Sequence, residues 1–345
     1  VAMYSNTTGV VNAAFGDQAL YTNTTGSSNT AIGASALYSN TTASNNTAVG
    51  YQAGYTNSTG AYVTFMGWKA GYGSTANYGT AFGAGALQAS VTGENNSAFG
   101  NSALYANTSG AYNVALGGGA LQSNPTASNN TAVGYQAGYS NTTGTEVVAL
   151  GLQSLYSNTT GYANHALGYA SLFSNTTGGY NTAVGHSALN ANTTASNNTA
   201  VGYQAGYSNT TGAGLTAVGY QAGYSTTANN LTAVGYLAAK FNSTGDFNTA
   251  VGRSAAENTT TGNYNSSFGY AALYNNTTAG ENSAFGAWSL GANTTGLYNT
   301  AVGKDALRYN TTASNNTAVG YQAGYSNTTG STIDAFGYKA LYANT

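Results

Sequence analysis

The chain has no cysteine and a single proline, and only 4% of its 345 residues are charged. Without cysteine there is neither a disulfide framework nor a thiolate metal site. Six lysines and arginines against eight acids, a formal net charge of −2, cannot neutralise a run of phosphates, which excludes nucleic acid as a partner. No apolar run approaches the roughly 20 residues of a membrane-spanning helix, and there is no basic amphipathic segment, so membrane insertion is excluded as well. Large aliphatic residues are scarce, and composition alone leaves low-complexity disorder open. Periodicity decides against it.

The stretch NTAVGYQAGYSNTTG recurs letter for letter from Asn130, Asn198 and Asn316. Aligned on the glycine of AVG, the whole chain is one repeat, from Gly16, Gly33 and Gly50 to Gly337. Twenty such glycines are spaced by 17 residues, except for two intervals of 16. A fixed period of this size marks a solenoid, whose units are too small to stand alone and stack on their neighbours. With that glycine as position 0, position −1 is always apolar (Phe15, Ile32, Val49, Met66), position −2 is Ala except at Phe65 and Ser267, and position +3 is always Ala or Ser. A glycine that is never replaced needs positive φ or has no room for a Cβ.

Positions −2 and −1 point to opposite faces of a strand, yet both are apolar, the pattern of a strand covered on both sides. One face lines a thin interior; the other needs a second cover, most simply another copy of the chain. The coil core is small against the entropy of ordering the repeat, so ladder hydrogen bonds and burial between chains must supply the rest. Each coil is expected to hold two short strands, −4 to 0 and +1 to +5. About twenty coils at about 4.8 Å make a rod on the order of 95 Å long. The fold is therefore an all-β β-solenoid (β-roll) of about twenty 17-residue coils, one continuous domain over 1–345, associated as a trimer or other fibre bundle. Val1 and Thr345 both fall inside a repeat, and neither end carries an atypical cap. The chain reads as an interior piece of a longer fibre or a processed product.

Several columns carry more specific expectations. Position +4 is usually Leu but is Gly at Gly54, Gly71, Gly138, Gly206, Gly223 and Gly324, where position +1 is Tyr51, Trp68, Tyr135, Tyr203, Tyr220 and Tyr321. A ring folding over the bare backbone would conserve volume. Tyrosine at +5 in most coils should stack at the ladder spacing. Asparagine at −4 is replaced by Val63, Val147, Leu215, Leu231 and Ile333, which marks an inward amide ladder. Asparagine at +7, in NTT, is absent from the two short repeats and reads as a surface turn, with the Thr or Ser at +9 supplying a hydroxyl bond inside it.

NTAVGYQA, NTAIGASA and NSAFGNSA resemble the head repeats of YadA-like trimeric autotransporter adhesins, which set Asn, Ala, an aliphatic, Gly and Ala in this order. ALYSNTTG looks even more like repeats of phage tail fibres and large bacterial surface fibres. The resemblance covers the entire chain. It implies a left-handed trimeric β-roll, extracellular on a cell surface or virion, with an adhesive or receptor-reaching role. The adhesin repeat is usually shorter, and no stalk, anchor or fibre chaperone domain is visible here.

The chemistry-bearing residues are few. Glu94 and Asp246 share position +11, and Glu146 and Glu281 share +12, but each pair lies many coils apart, too far for paired carboxylate catalysis. Lys240 and Glu257, both at +5 of consecutive coils, suggest a surface ion pair. His165 and His186 occupy variable positions, and no phosphate loop or cofactor motif is present. The chain reads as a non-enzymatic fibre or adhesin segment without cofactor or metal. Its first partner is itself, side by side or end to end, with cell-surface glycans or a receptor second. Two alternative uses remain. Tyr51, Trp68, Tyr135, Tyr203, Tyr220 and Tyr321 could stack sugar rings. Asn6, Asn23, Asn40, Asn57, Asn107, Asn141, Asn158, Asn175, Asn192, Asn209, Asn242, Asn276, Asn293, Asn310 and Asn327 are candidate glycan attachment sites, most of them in the NTT turn. Ice binding by stacked threonines is a minor third, because +8 is interrupted at Ser58, Val91, Pro125 and Ser243.

Overall fold

The computed structural model describes residues 1–343. They form an all-β parallel β-solenoid of about twenty coils, without a helix among the described residues. The chain falls into two compact units, Val1–Thr177 and Gly178–Thr345, each a stack of the same coil. Every coil contributes one three-residue strand at positions −3 to −1. These run from β1 (Ala13–Phe15) to β10 (His165–Leu167) in the first unit and from β11 (Thr182–Val184) to β20 (Asp334–Phe336) in the second.

Within each unit successive strands pair in parallel without slip. Thr30, Ala31 and Ile32 face Thr47, Ala48 and Val49, and Thr199, Ala200 and Val201 face Thr216, Ala217 and Val218. The short repeats keep the register, with Thr64 opposite Thr80 and Thr216 opposite Thr232. From Ala31 on, the −2 alanines are buried, while the −1 side chains face out and are left uncovered within one chain.

The expected second strand does not form. Positions +2 and +4 lie at positive φ, 57° at Gln18 and 49° at Leu20, while +1, +3 and +5 do not. The segment therefore curls through successive turns instead of extending. Its backbone still bonds from coil to coil, Leu20 N–H to Ala36 O at 3.0 Å and Thr22 N–H to Tyr38 O at 3.1 Å. The position-0 glycines lie at positive φ and, except at Gly337 in the last coil, have the next coil's backbone where a Cβ would be. Gly134 has φ +136°, and a Cβ there would lie 2.5 Å from the carbonyl oxygen of Gly151 in the next coil.

The −4 asparagines form the inward ladder. Asn12 Oδ1 accepts the backbone N–H of Asn29 at 2.9 Å, and Asn29 Nδ2 donates to Ala43 O at 2.9 Å. The same pair of bonds recurs at Asn282 and Asn299 in the second unit, at 2.9 Å each. The missing leucines at +4 are not covered by the +1 rings, which are 39–57% exposed and so face solvent. Their volume is supplied from inside. A Cβ on Gly206 would meet Leu215 Cδ2 at 2.8 Å and Leu189 Cδ2 at 3.0 Å, and one on Gly324 would meet Leu307 and Ile333. Around Gly71 the space is taken by Phe65, the one aromatic at −2. The exchange is thus between +4 and the −4 residue that follows it: Leu with Asn, or Gly with Val, Leu or Ile.

Candidate functional site

Position +7 is a second internal ladder, which corrects its reading as a surface turn. Asn158 Nδ2 donates to Asn141 Oδ1 at 2.8 Å and to Gly161 O at 2.8 Å, and Asn310 repeats this with Asn293 and Ala313 at 2.9 and 3.0 Å. Both hydrogens of the amide are thereby used. Where asparagine is absent the column holds Ser74, Ser90, Thr226 or Thr259, all buried hydroxyl residues. The short repeats therefore lack an outer turn residue, not the inward one. Their backbone resumes at Ala76 and Ala228, which take the place of the +10 residue.

This bears directly on the proposed glycan sites. Asn23, Asn40, Asn57, Asn107, Asn141, Asn158, Asn175, Asn192, Asn209, Asn242, Asn276, Asn293, Asn310 and Asn327 are buried, and Asn6 is partly buried in the first coil with its Nδ2 on Gly9 O at 3.0 Å. Glycosylation replaces an Nδ2 hydrogen, so a sugar on the folded chain would have to break a coil-to-coil bond and enter the interior. The column is unsuited to glycan attachment in the folded state.

The hydroxyl bond assigned to +9 belongs to +8. Thr24 Oγ1 donates to Thr41 O at 3.1 Å and Thr260 Oγ1 to Thr277 O at 3.0 Å, whereas the +9 residues, such as Thr25 and Thr143, are exposed. The Lys240–Glu257 pair does not form either. Lys240 Nζ sits 4.8 Å from the Phe241 ring centroid, and Glu257 is tucked against the coil with 9% exposure.

The outward columns are therefore −3 and −1 on the strand, +1, +5, +9 and +12. The rings stack on one another. Tyr4, Tyr21, Tyr38, Tyr55 and Tyr72 at +5 follow at 5.0–5.3 Å between centroids, tilted by at most 10°. Of the candidate sugar-stacking residues, Tyr203 and Tyr220 lie face to face at 5.2 Å, and Tyr321 stacks on Tyr338 at 5.5 Å. Their faces are turned to each other and mainly their edges to solvent, an arrangement poorly suited to a pyranose. Tyr135 lies against the backbone of Gly118, whose Cβ would meet its ring at 3.4 Å. Tyr51 and Trp68 are half exposed, Trp68 with Lys69 Nζ 4.7 Å from its ring centroid.

His186 tilts against Tyr203 at 5.3 Å with Nδ1 3.0 Å from Ser187 Oγ, and His165 is exposed at the start of β10. No group of three His, Cys, Asp or Glu side chains able to hold a metal ion gathers among the described residues.

The broadest differentiated surface is the outward strand face. Its −3 column is mostly threonine, and its −1 column is apolar in every coil. Phe15, Ile32, Met66, Phe99, Leu116 and Leu167 in the first unit, and Val201, Phe285, Val302 and Phe336 in the second, are exposed. No charged residue occupies −1, and Asp334 is the only Asp, Glu, Lys or Arg at −3. No protein-family profile, curated protein or solved structure matches the chain.

Proposed function

We propose that the chain is a non-enzymatic shaft segment of an extracellular fibre, carried on a cell surface or virion, whose copies cover one another's outward strand face. The observation that carries this reading is the uninterrupted apolar −1 column, exposed or half-buried in every coil of each unit. Ten coils at about 4.8 Å, with a face about 10 Å wide, give a strand face of roughly 500 Å² per unit, shared between the apolar −1 column and the mostly threonine −3 column. Exposed β faces that must stay single usually carry charge against association, and this one carries almost none. A closed ring of copies satisfies every face without leaving one open, and a left-handed trimer is the arrangement that the adhesin-like repeats favour.

Catalysis is not part of this reading. The acids are dispersed, and the conserved geometry of the coil is spent on stacking. Sedimentation velocity and native mass measurement test the proposal. A discrete oligomer is expected at micromolar concentration, and a stable monomer across the accessible range would overturn it.

A further inference from the structure

We propose that a notch beside Trp288 in the second unit binds a single neutral pyranose ring of a glycan. The repeat itself is the control for this inference. In twenty coils the +2 column has one aromatic residue, Trp288, and one acid, Asp305, while the +5 column has one glycine, Gly291, and one arginine, Arg308. These four singular residues fall in two consecutive coils. Tyr309, at a position otherwise nearly always small or polar, joins them.

The geometry turns these departures into a recess. Gly291 removes the ring expected at +5, and Trp288 leans into that place, with Cε3 2.9 Å from where a Cβ on Gly291 would lie. Tyr270 meets the indole edge-on at 5.6 Å, and Tyr274 is tilted at 5.7 Å. From the next coil the Arg308 guanidinium carbon lies 4.9 Å from the Trp288 ring centroid and 5.6 Å from that of Tyr309. Arg308 Nη1 is 2.7 Å from Asp305 Oδ1, whose side chain is only 4% exposed. Tyr309 stands edge-on to Tyr325 at 5.0 Å, and the hydrogen bond between their hydroxyls, followed by burial, holds the Tyr325 phenol above its usual range. Asn275, Trp288, Gly291, Ala292, Arg308 and Tyr309 line an open notch of about 120 Å³.

A pyranose has an apolar C–H face and a rim of hydroxyls. The exposed Tyr309 ring suits the face, with the indole edge beside it because Arg308 lies over the Trp288 ring, and the remaining guanidinium N–H groups and the Asn275 amide suit the rim. Asp305 holds the guanidinium at 2.7 Å, with the exposed Lys304 Nζ 3.8 Å from its other oxygen, so Arg308 is already paired and offers its remaining N–H groups as donors. The notch is shallow and smaller than an enclosed small-molecule site, so it takes at most one ring, held against its rim. A tryptophan that only replaced a lost tyrosine would need neither the buried Asp305 holding a half-buried Arg308 nor a projecting Tyr309.

Trp68 and Trp288 are the only tryptophans, so Trp68→Tyr leaves Trp288 as the sole indole reporter. That chain is titrated with the methyl pyranosides of glucose, galactose, mannose and N-acetylglucosamine, with glucuronate as the anionic comparison. A saturable change in indole emission with at least one neutral glycoside is expected, weakened about tenfold by Arg308→Gln, as loss of about 1.4 kcal/mol would give. The double change Trp288→Gln with Gly291→Tyr restores the common coil residues and so should fold. Ligand-observed NMR should find no binding to it. Silence with all four neutral glycosides, response to glucuronate alone, or undiminished binding to the restored coil would each overturn the site. A shaft without this affinity would still be a shaft, so the two proposals fail separately.

Discussion

At the scale of single residues, the repeat is held by positions that accept one kind of atom. Gly134 combines φ +136° with a next-coil carbonyl 2.5 Å from its would-be Cβ. Gly134→Ala is therefore expected to cost about 1–3 kcal/mol in backbone strain, with the clash adding to it. Gly118→Ala is the matched control, because its φ is not positive and its Cβ would sit at an ordinary 3.4 Å from the Tyr135 ring. It should stay within about 0.5 kcal/mol in the same urea titration. The +7 ladder makes a second prediction. Asn158→Ala removes the acceptor of Asn175 Nδ2 at 2.7 Å and strands Gly161 O. A loss of about 1–3 kcal/mol is expected, with Asn158→Ser milder because serine already occupies this column at Ser74 and Ser90. Equal losses for Ala and Ser would count against the ladder as the cause.

At the scale of the coil, the informative unit is a pair of positions far apart in sequence. Gly206 and Leu215 share one interior space, as Leu and Asn do in the common coil. Gly206→Leu alone should overpack, since its Cβ would already lie 2.8 Å from Leu215 Cδ2. The backbone is not the obstacle, because Leu189 takes the same position at φ 48°. Adding Leu215→Asn should recover most of the loss, giving a coupling of about 0.5–3 kcal/mol in a double-mutant cycle. Additive losses would show that the two sites do not share volume. This exchange was visible in the sequence. Every apolar residue at −4 follows a glycine at +4 by nine residues, or by eight in a short repeat. The +1 rings coincide with the same glycines and are nearer in the chain, and only the burial of each side chain separates a true volume partner from a companion.

At the scale of the whole molecule, the sparse charge and the outward strand face set the behaviour. Val201→Lys together with Val218→Lys places two charges on that face in neighbouring coils without touching the interior. The expected outcome is a shift toward monomer in sedimentation velocity, with a change in monomer stability within about 0.5 kcal/mol. An unchanged oligomer would mean that another surface mediates association. A changed fold, seen as lost far-ultraviolet circular dichroism, would mean that the face is structural within one chain. With only 4% charged residues, little long-range repulsion opposes close approach of copies.

By itself the sequence determined the period, the invariant glycine, the parallel stacking in register and the two-sided apolar strand. Each follows from a column repeated about twenty times, and a steric demand made once per coil leaves the same letter every time. Tertiary structure alone decided which polar column faces in. Asparagine serves equally as a turn former and as a buried ladder amide, and nothing local to NTT distinguishes the two; only the neighbouring coils, 17 residues away on either side, supply the Asn141 acceptor and the Asn175 donor between which Asn158 is buried. It also decided that +1 to +5 curls instead of extending, because the left-handed residues at +2 and +4 are held by bonds to neighbouring coils and not by their own preference. The notch at Trp288 belongs to the same class: its residues stand 34 positions apart from Asn275 to Tyr309 and meet only because the chain returns to the same place each turn.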